Sequence, residues 1–266
     1  MNYSVKSGNP EKQRVGCVIV GIYDRRKPSE AAETLDQACG GAISSALRRG
    51  DLDGKSGRSL ILHNLPHMFC DRVLLVGLGR ERDFDEAAFR KACALAARTV
   101  RNTGAIDAVS YLTHLPVKNR PLDQGFHWNV RQATLATQDE FYRFDACRGS
   151  KAKSDLPKYK LERLTFDVPR RSDLPEAERG LKEALAISAG VTLTKNLGNL
   201  PPNLCTPTHL AEQAQQLARE HASIKTRVLE REDLEKLGMG AFLSVTRGSR
   251  QPPKLILLQY SQGARG

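Results

Sequence analysis

A chain of 266 residues is long enough for one large domain or two ordinary ones, and its 40% hydrophobic and 27% charged residues exclude the disordered class. No apolar run approaches the roughly 20 residues of a membrane span, and the polar start Met1 to Pro10 lacks the apolar stretch of a secretory signal, so a cytoplasmic protein without membrane partners is expected. Lys and Arg outnumber Asp and Glu by 41 to 30, and the net charge of +11 favours polyanions such as DNA without identifying one.

In chain order, the β-branched run Val15 to Ile22 predicts a strand, and Ser29 to Arg48 predicts one helix, with Ala32, Leu35, Ala38, Ala42, Ala46 and Leu47 at helical spacing. Strands follow at Ser59 to His63 and Arg72 to Gly77, their apolar runs reading as buried on both faces. Asp83 with Glu86 three residues on predicts a capping box for a helix whose face is Phe89, Cys93, Ala96 and Val100 and whose end is Gly104. A strand at Ala108 to Thr113, a helix at Asn129 to Tyr142 and a strand at Leu161 to Val168 complete an α/β domain over residues 1–168.

From Arg148 to Asp173 eight basic residues meet four acidic ones among prolines and serines, the composition of a domain margin. A long helix, Leu174 to Asn196, then predicts a connector with Leu181, Leu185, Ser188, Ala189 and Thr192 on one face, within a linker region of 169–200. A second unit, 201–266, opens with Thr206 capping a helix that has Pro207 in its first turn and a stripe of Leu210, Ala214, Leu217 and Ala218. A strand at Thr226 to Leu229, a short helix around Leu234 and a strand at Lys254 to Tyr260 follow. A buried-type strand so near the last residue leaves apolar faces that need partners, so this unit is expected to be incomplete and poorly stable alone.

Most chemical motifs fail on inspection. Gly77-Leu78-Gly79 follows a strand, but Arg82 stands where a dinucleotide fingerprint needs its third glycine. No phosphate-binding loop, nucleophile elbow or H-E-x-x-H pattern occurs. The six cysteines form no C-x-x-C pair and read as small buried hydrophobes, Cys93 foremost. His63, His67 and Cys70 lie close in sequence, but Pro66 keeps the two histidines off a regular helix face, and a loop is the expected reading. The basic margin is a candidate nucleic-acid contact: Lys151, Lys153, Lys158, Lys160 and Arg163 would meet phosphates while Tyr159 and Phe166 stack on bases, and the Arg25, Arg26, Lys27 turn before Pro28 carries the same ambiguity. A solvated linker is the commoner meaning of such a run.

The segment KNLGNLPPNLCTPTHLAEQA, Lys195 to Ala214, resembles the N-x-P-x-N-x-x-T-P-x-x-L-A stretch that opens the catalytic domain of leucyl aminopeptidases. Val228 to Gly240, Phe242 to Ser249 and Leu255 to Tyr260 are similar to family segments in the same order, as are Ile43 to Gly57 and Arg72 to Arg80 upstream. The resemblance implies an α/β protein with an N-terminal macro-domain-like mixed sheet and flanking helices, a connecting helix, and then the start of an α/β metallo-exopeptidase domain. It also implies removal of N-terminal residues, leucine preferred, from peptide substrates by two divalent ions, Mn or Zn, in a homo-hexamer, with some bacterial relatives binding DNA in recombination or gene control. The family's V-G-K-G and N-T-D-A-E-G-R motifs, which carry its metal ligands, have no counterpart here, so no catalytic or metal residue is assigned and the chain alone is expected to be inactive.

Overall fold

The computed structural model describes residues 1–120, 126–149, 151 and 158–262. They divide into two compact units, 1–193 and 194–266, each described by itself below.

Unit 1 is built on a mixed sheet. Its strands are β1 (Asn2–Lys6), β2 (Cys17–Tyr23), β3 (Lys27–Pro28), β4 (Ser59–His63), β5 (Arg72–Gly79), β6 (Asp107–Ser110) and β7 (Arg163–Asp167). The order is β1-β7-β6-β2-β5-β4, with β3 a short antiparallel partner of β2. Pairing is parallel from β1 through β5, and β4 closes the far edge antiparallel to β5. The fully buried β2 shows why its sequence is apolar without alternation. Cys17, Ile19 and Tyr23 enter the core on one face of the sheet while Val18, Val20 and Ile22 enter the core on the other. β4, by contrast, is only half-buried, as suits an antiparallel edge.

Helices α1 (Glu30–Ala38) and α2 (Ala42–Arg49) cover one face, and α3 (Glu86–Arg101) and α4 (His127–Phe141) cover the other, joined there by the first half of α5 (Leu174–Asn199). The single helix expected over residues 29–48 is two, because Gly40 and Gly41 both adopt positive φ, 66° and 81°, which breaks the helix and starts the second. The cap of α3 is Asp85, whose Oδ1 accepts the Ala88 amide at 2.8 Å, and the expected cap Asp83 instead closes a 3-10 turn. The face Phe89, Cys93, Ala96 and Val100 is buried as expected, although the helix ends at Arg101, ahead of Gly104. The strand expected to reach Thr113 stops at Ser110 and turns into a 3-10 segment, Leu112–His114. On α5 the buried face is Ala177, Gly180, Leu181, Ala184 and Ser188; Leu185 and Ala189 of the expected stripe are exposed. β1 was not foreseen, since a half-buried edge strand with Ser4 and Lys6 shows little apolar signal.

Unit 2 contains α6 (Pro207–Glu220), β8 (Ile224–Leu229), α7 (Arg231–Lys236), α8 (Gly240–Val245) and β9 (Leu255–Tyr260). Thr206 caps α6 as expected, its hydroxyl accepting the His209 amide at 3.3 Å, with Pro207 in the first turn. β8 and β9 form a two-stranded antiparallel sheet, and Thr226 Oγ1 donates to the Ala214 carbonyl at 3.0 Å, tying α6 to β8.

Candidate functional site

Parallel sheets place their ligand crevices where successive connections leave a strand in opposite directions. In unit 1 that point is the carboxyl end of β2: the chain passes from β2 to its neighbour β5 on one side, then crosses to β6 on the other. Two adjoining cavities open there. One, of about 230 Å³, is walled by Tyr23, Lys27 to Ala31 and Glu33 on the β2 side and by Tyr111, His114, Leu115 and Pro116 after β6, with Glu81 between them. The other, of about 440 Å³, is walled by Asp24, Arg25, Arg80 and Arg82 and shares Tyr23, Lys27 and Glu81 with the first.

The floor near His114 is a buried polar network. His114 Nε2 lies 3.0 Å from Asp167 Oδ1 at the end of β7, and Thr113 Oγ1 donates to the Asp167 carbonyl at 2.5 Å. Asp167 is fully buried, and burial pushes its carboxyl above the usual carboxylate range, opposed by His114 and by the Lys6 ammonium. Its Oδ2 has no hydrogen-bond partner among the described residues. Tyr111 spends its hydroxyl on the Gly8 carbonyl at 2.7 Å and accepts from Gln13 Nε2 at 2.9 Å. A carboxylate on one ring nitrogen fixes the imidazole's orientation, and the His114 side chain lines the smaller cavity.

Tyr23 stands where the two cavities meet. It is 4% exposed, packs edge-on against Phe84, and its hydroxyl has no hydrogen-bond partner among the described residues. Burial, with the Glu81 carboxylate nearby, pushes its phenol up to about 12, so it is a neutral donor and acceptor at physiological pH.

The basic margin looks different from its sequence. Lys153 lies outside the described residues; Lys151, Lys158 and Lys160 are exposed; Arg163 is paired with Asp107 at 3.0 Å. Phe166 is buried and stacked on Tyr3, so it cannot meet a base. Tyr159 has Arg101 and Arg143 over its ring, at 5.0 and 5.3 Å from its centroid, and Phe141 edge-on. The geometry therefore offers lysines for phosphate but no free aromatic platform among those two residues. His63, His67 and Cys70 make no metal site either: among the described residues no group of three or more His, Cys, Asp or Glu is placed to hold an ion. The two divalent ions implied by the sequence resemblance thus do not fit the side chains described. Among the described residues no helix is long and apolar enough to cross a membrane.

Comparison with known families turns on two regions of the chain. Residues 19–151 match the profile described as the cytosol aminopeptidase family, N-terminal domain, and residues 192–266 match that family's catalytic domain. The chain belongs to the cytosol aminopeptidase family. Within that family, a probable cytosol aminopeptidase of Thioalkalivibrio sulfidiphilus is 53% identical over 265 residues, 100% of this chain and 52% of the relative. The cytosol aminopeptidase of Vibrio cholerae is 45% identical over 260 residues, 98% of this chain and 50% of its own length. The chain therefore spans about half the length of the curated relatives it matches. Among solved structures, a mutant tomato leucine aminopeptidase superposes with a TM-score of 0.81 at 23% identity, covering 100% of this chain and 52% of that one. The bottromycin maturation enzyme BotP, solved in complex with Mn, superposes at 0.68 and 22% identity over 93% of this chain and 45% of its own. At such identities these structures speak for the α/β fold, which agrees with the class expected from sequence.

Proposed function

We propose that this chain is the N-terminal part of a cytoplasmic leucyl aminopeptidase, an enzyme that removes N-terminal residues, leucine preferred, from peptides by hydrolysis at two divalent metal ions. The observation that carries this reading is identity of 44–53% running through essentially the whole chain, across both family domains, while spanning only about half of each relative. Divalent ions held by the complete enzyme would supply Lewis-acid chemistry, activating a water for attack on the peptide carbonyl. The described side chains supply no such centre, so the residues of this chain serve to build the scaffold that precedes it. On this reading the division of labour is residues 1–168 as the macro-like domain, 169–200 as the connector and 201–266 as the opening of the catalytic domain, which in the complete enzyme assembles as a hexamer.

The test compares the 266-residue chain with one extended to the length of the relatives, each assayed on leucine p-nitroanilide with Mn or Zn. Hydrolysis by the extended chain alone is expected. Hydrolysis by the shorter chain, or none by a folded extended one, would overturn the assignment.

A further inference from the structure

We propose that the free edge of β4 pairs with the same edge of a second copy of this chain, antiparallel about a two-fold axis at Ile61, so that one sheet runs through both copies. β4 ends the sheet of unit 1 and is paired with β5 alone. In an antiparallel ladder, residues bonded to the neighbouring strand alternate with residues whose backbone groups point the other way. Two bonds at the ends of β4 fix which are which. The Gly77 amide donates to the Arg58 carbonyl at 2.8 Å, and the Asn64 amide donates to the Asp71 carbonyl at 3.1 Å. Arg58, Leu60, Leu62 and Asn64 therefore turn their backbone groups to β5, and those of Ser59, Ile61 and His63 point off the sheet. These outward N–H and C=O groups have no hydrogen-bond partner among the described residues.

Edge strands are ordinarily guarded by a charge, a proline or a bulge. β4 has none of these: its register with β5 is unbroken, Ser59 to Leu62 are half-buried, and the exposed His63 is its only titratable residue. At the other edge of the sheet β1 alternates Asn2, Ser4 and Lys6 with its apolar residues.

A second copy fits this edge because the outward residues are symmetric about Ile61. With a two-fold axis there, Ile61 faces Ile61 of the other copy and Ser59 faces its His63, so every outward group gains a partner. Any other antiparallel register leaves some of them unpaired within the two strands. The intervening pairs set Leu60 against the other copy's Leu62 at the close, non-hydrogen-bonded spacing, on the face where both leucines already pack against the cluster under α1 and α2. At each end Arg58 comes opposite the other copy's Asn64, which is bonded to Asp71, so opposite charges approach twice. Both are already in exposed ion pairs, with Asp53 and Arg72, and so steer the register more than they hold it. A five-residue strand pair by itself falls short of the roughly 1,200 Å² of a stable interface, and the association is accordingly weak.

The experiment joins sedimentation equilibrium with residue-resolved amide exchange by NMR on the full 266-residue chain, from roughly 10 micromolar to 1 millimolar. A monomer–dimer equilibrium is expected within that range. As dimer accumulates, exchange of the Ser59, Ile61 and His63 amides should slow by about tenfold or more, while the Leu60 and Leu62 amides, already bonded to β5, change little. His63→Pro removes an outward donor from an exposed residue and leaves the β5 ladder whole, so it should weaken association by about tenfold or more, and Ile61→Val should not. Circular dichroism checks that the variants fold, and the amide measurement decides even where the proline unfolds the chain. A monomer throughout, an association that a folded His63→Pro leaves unchanged, or a dimer that leaves the three amides as they are in the monomer would each overturn the proposal; the last would place the contact elsewhere, as on the exposed apolar residues of unit 2. Protection of the same amides at every concentration would mean that another part of the same chain covers the edge, and would overturn it too.

Discussion

Gly54 shows how closely the crevice depends on single residues. Its φ is 83°, and a Cβ there would lie 1.9 Å from the Tyr23 carbonyl oxygen, so only glycine lets this loop press on the end of β2. Gly54→Ala should therefore cost about 2–3 kcal/mol, from left-handed backbone strain together with a displaced Tyr23. Urea unfolding measures it, and a loss within the noise would show that the loop can move off β2 freely. Asp167 lends itself to a test by pH. Because burial raises its folded-state pKa above the unfolded value, the native state takes up a proton first as pH falls. Its contribution to stability is complete below the unfolded carboxylate range near 4 and is lost as pH rises through the raised folded value. The wild type should thus gain stability relative to Asp167→Asn as pH is lowered from neutral toward that range, measured by denaturation at a series of pH values; parallel profiles would mean that Asp167 titrates normally. None of this was legible in the sequence. His114 has no partner near it in sequence: Asp167 lies 53 residues further on and is brought to it by the parallel pairing of β6 with β7.

At the scale of elements, periodicity located the interior well and the boundaries less well. The stripe of α3 was readable because one buried face repeats over four turns. Phe89 at its centre is fully buried, with Phe84 6.3 Å away and Trp128 of α4 5.5 Å away, centroid to centroid. Phe89→Ala should cost about 3–5 kcal/mol, as a buried aromatic truncation does. Trp128 is the chain's one tryptophan, so its emission should also shift to the red as the α3–α4 contact loosens. An unchanged spectrum together with a small loss would place Trp128 elsewhere. The break between α1 and α2 was missed for a definite reason: apolar spacing continues through Ala38 and Ala42, and the paired glycines that interrupt it act through backbone conformation, which a hydrophobic pattern does not register. Glu86 three residues on favours Asp83 as the cap in sequence, but the 3-10 turn Glu81–Asp83 uses that residue first and Asp85 caps the helix. The face of α5 was misplaced because its small residues fit two stripes. Gly180 selects one of them, since a Cβ there would lie 2.3 Å from the His127 carbonyl and only that side can approach α4 closely.

At the scale of the whole chain, the two units differ in how much core each possesses. Unit 1 buries two apolar clusters, one on each face of its sheet. In the described part of unit 2 only Ala211, Ala214, Leu229, Leu234 and Pro253 are buried, while Leu237, Val245, Leu257, Leu258 and Tyr260 are exposed. Full burial of a large apolar side chain is worth about 1.5–3 kcal/mol, and ordering a residue's backbone costs roughly 1–2 kcal/mol. Five buried residues, two of them alanines, cannot offset that cost over some seventy residues, whereas the contiguous clusters of unit 1 can. A brief tryptic digest of the native chain should therefore remove unit 2 first and leave a folded fragment ending between Arg170 and Leu200, its half-buried tryptophan still packed against Phe89. The same digest on the extended chain should spare this region, because further strands would pair with the free edge of β9 and cover Leu257 and Tyr260. If the 266-residue chain resisted as a whole, unit 2 would have to be stabilised by contacts other than the five buried side chains, and the view of it as the opening of a larger domain would lose its physical basis.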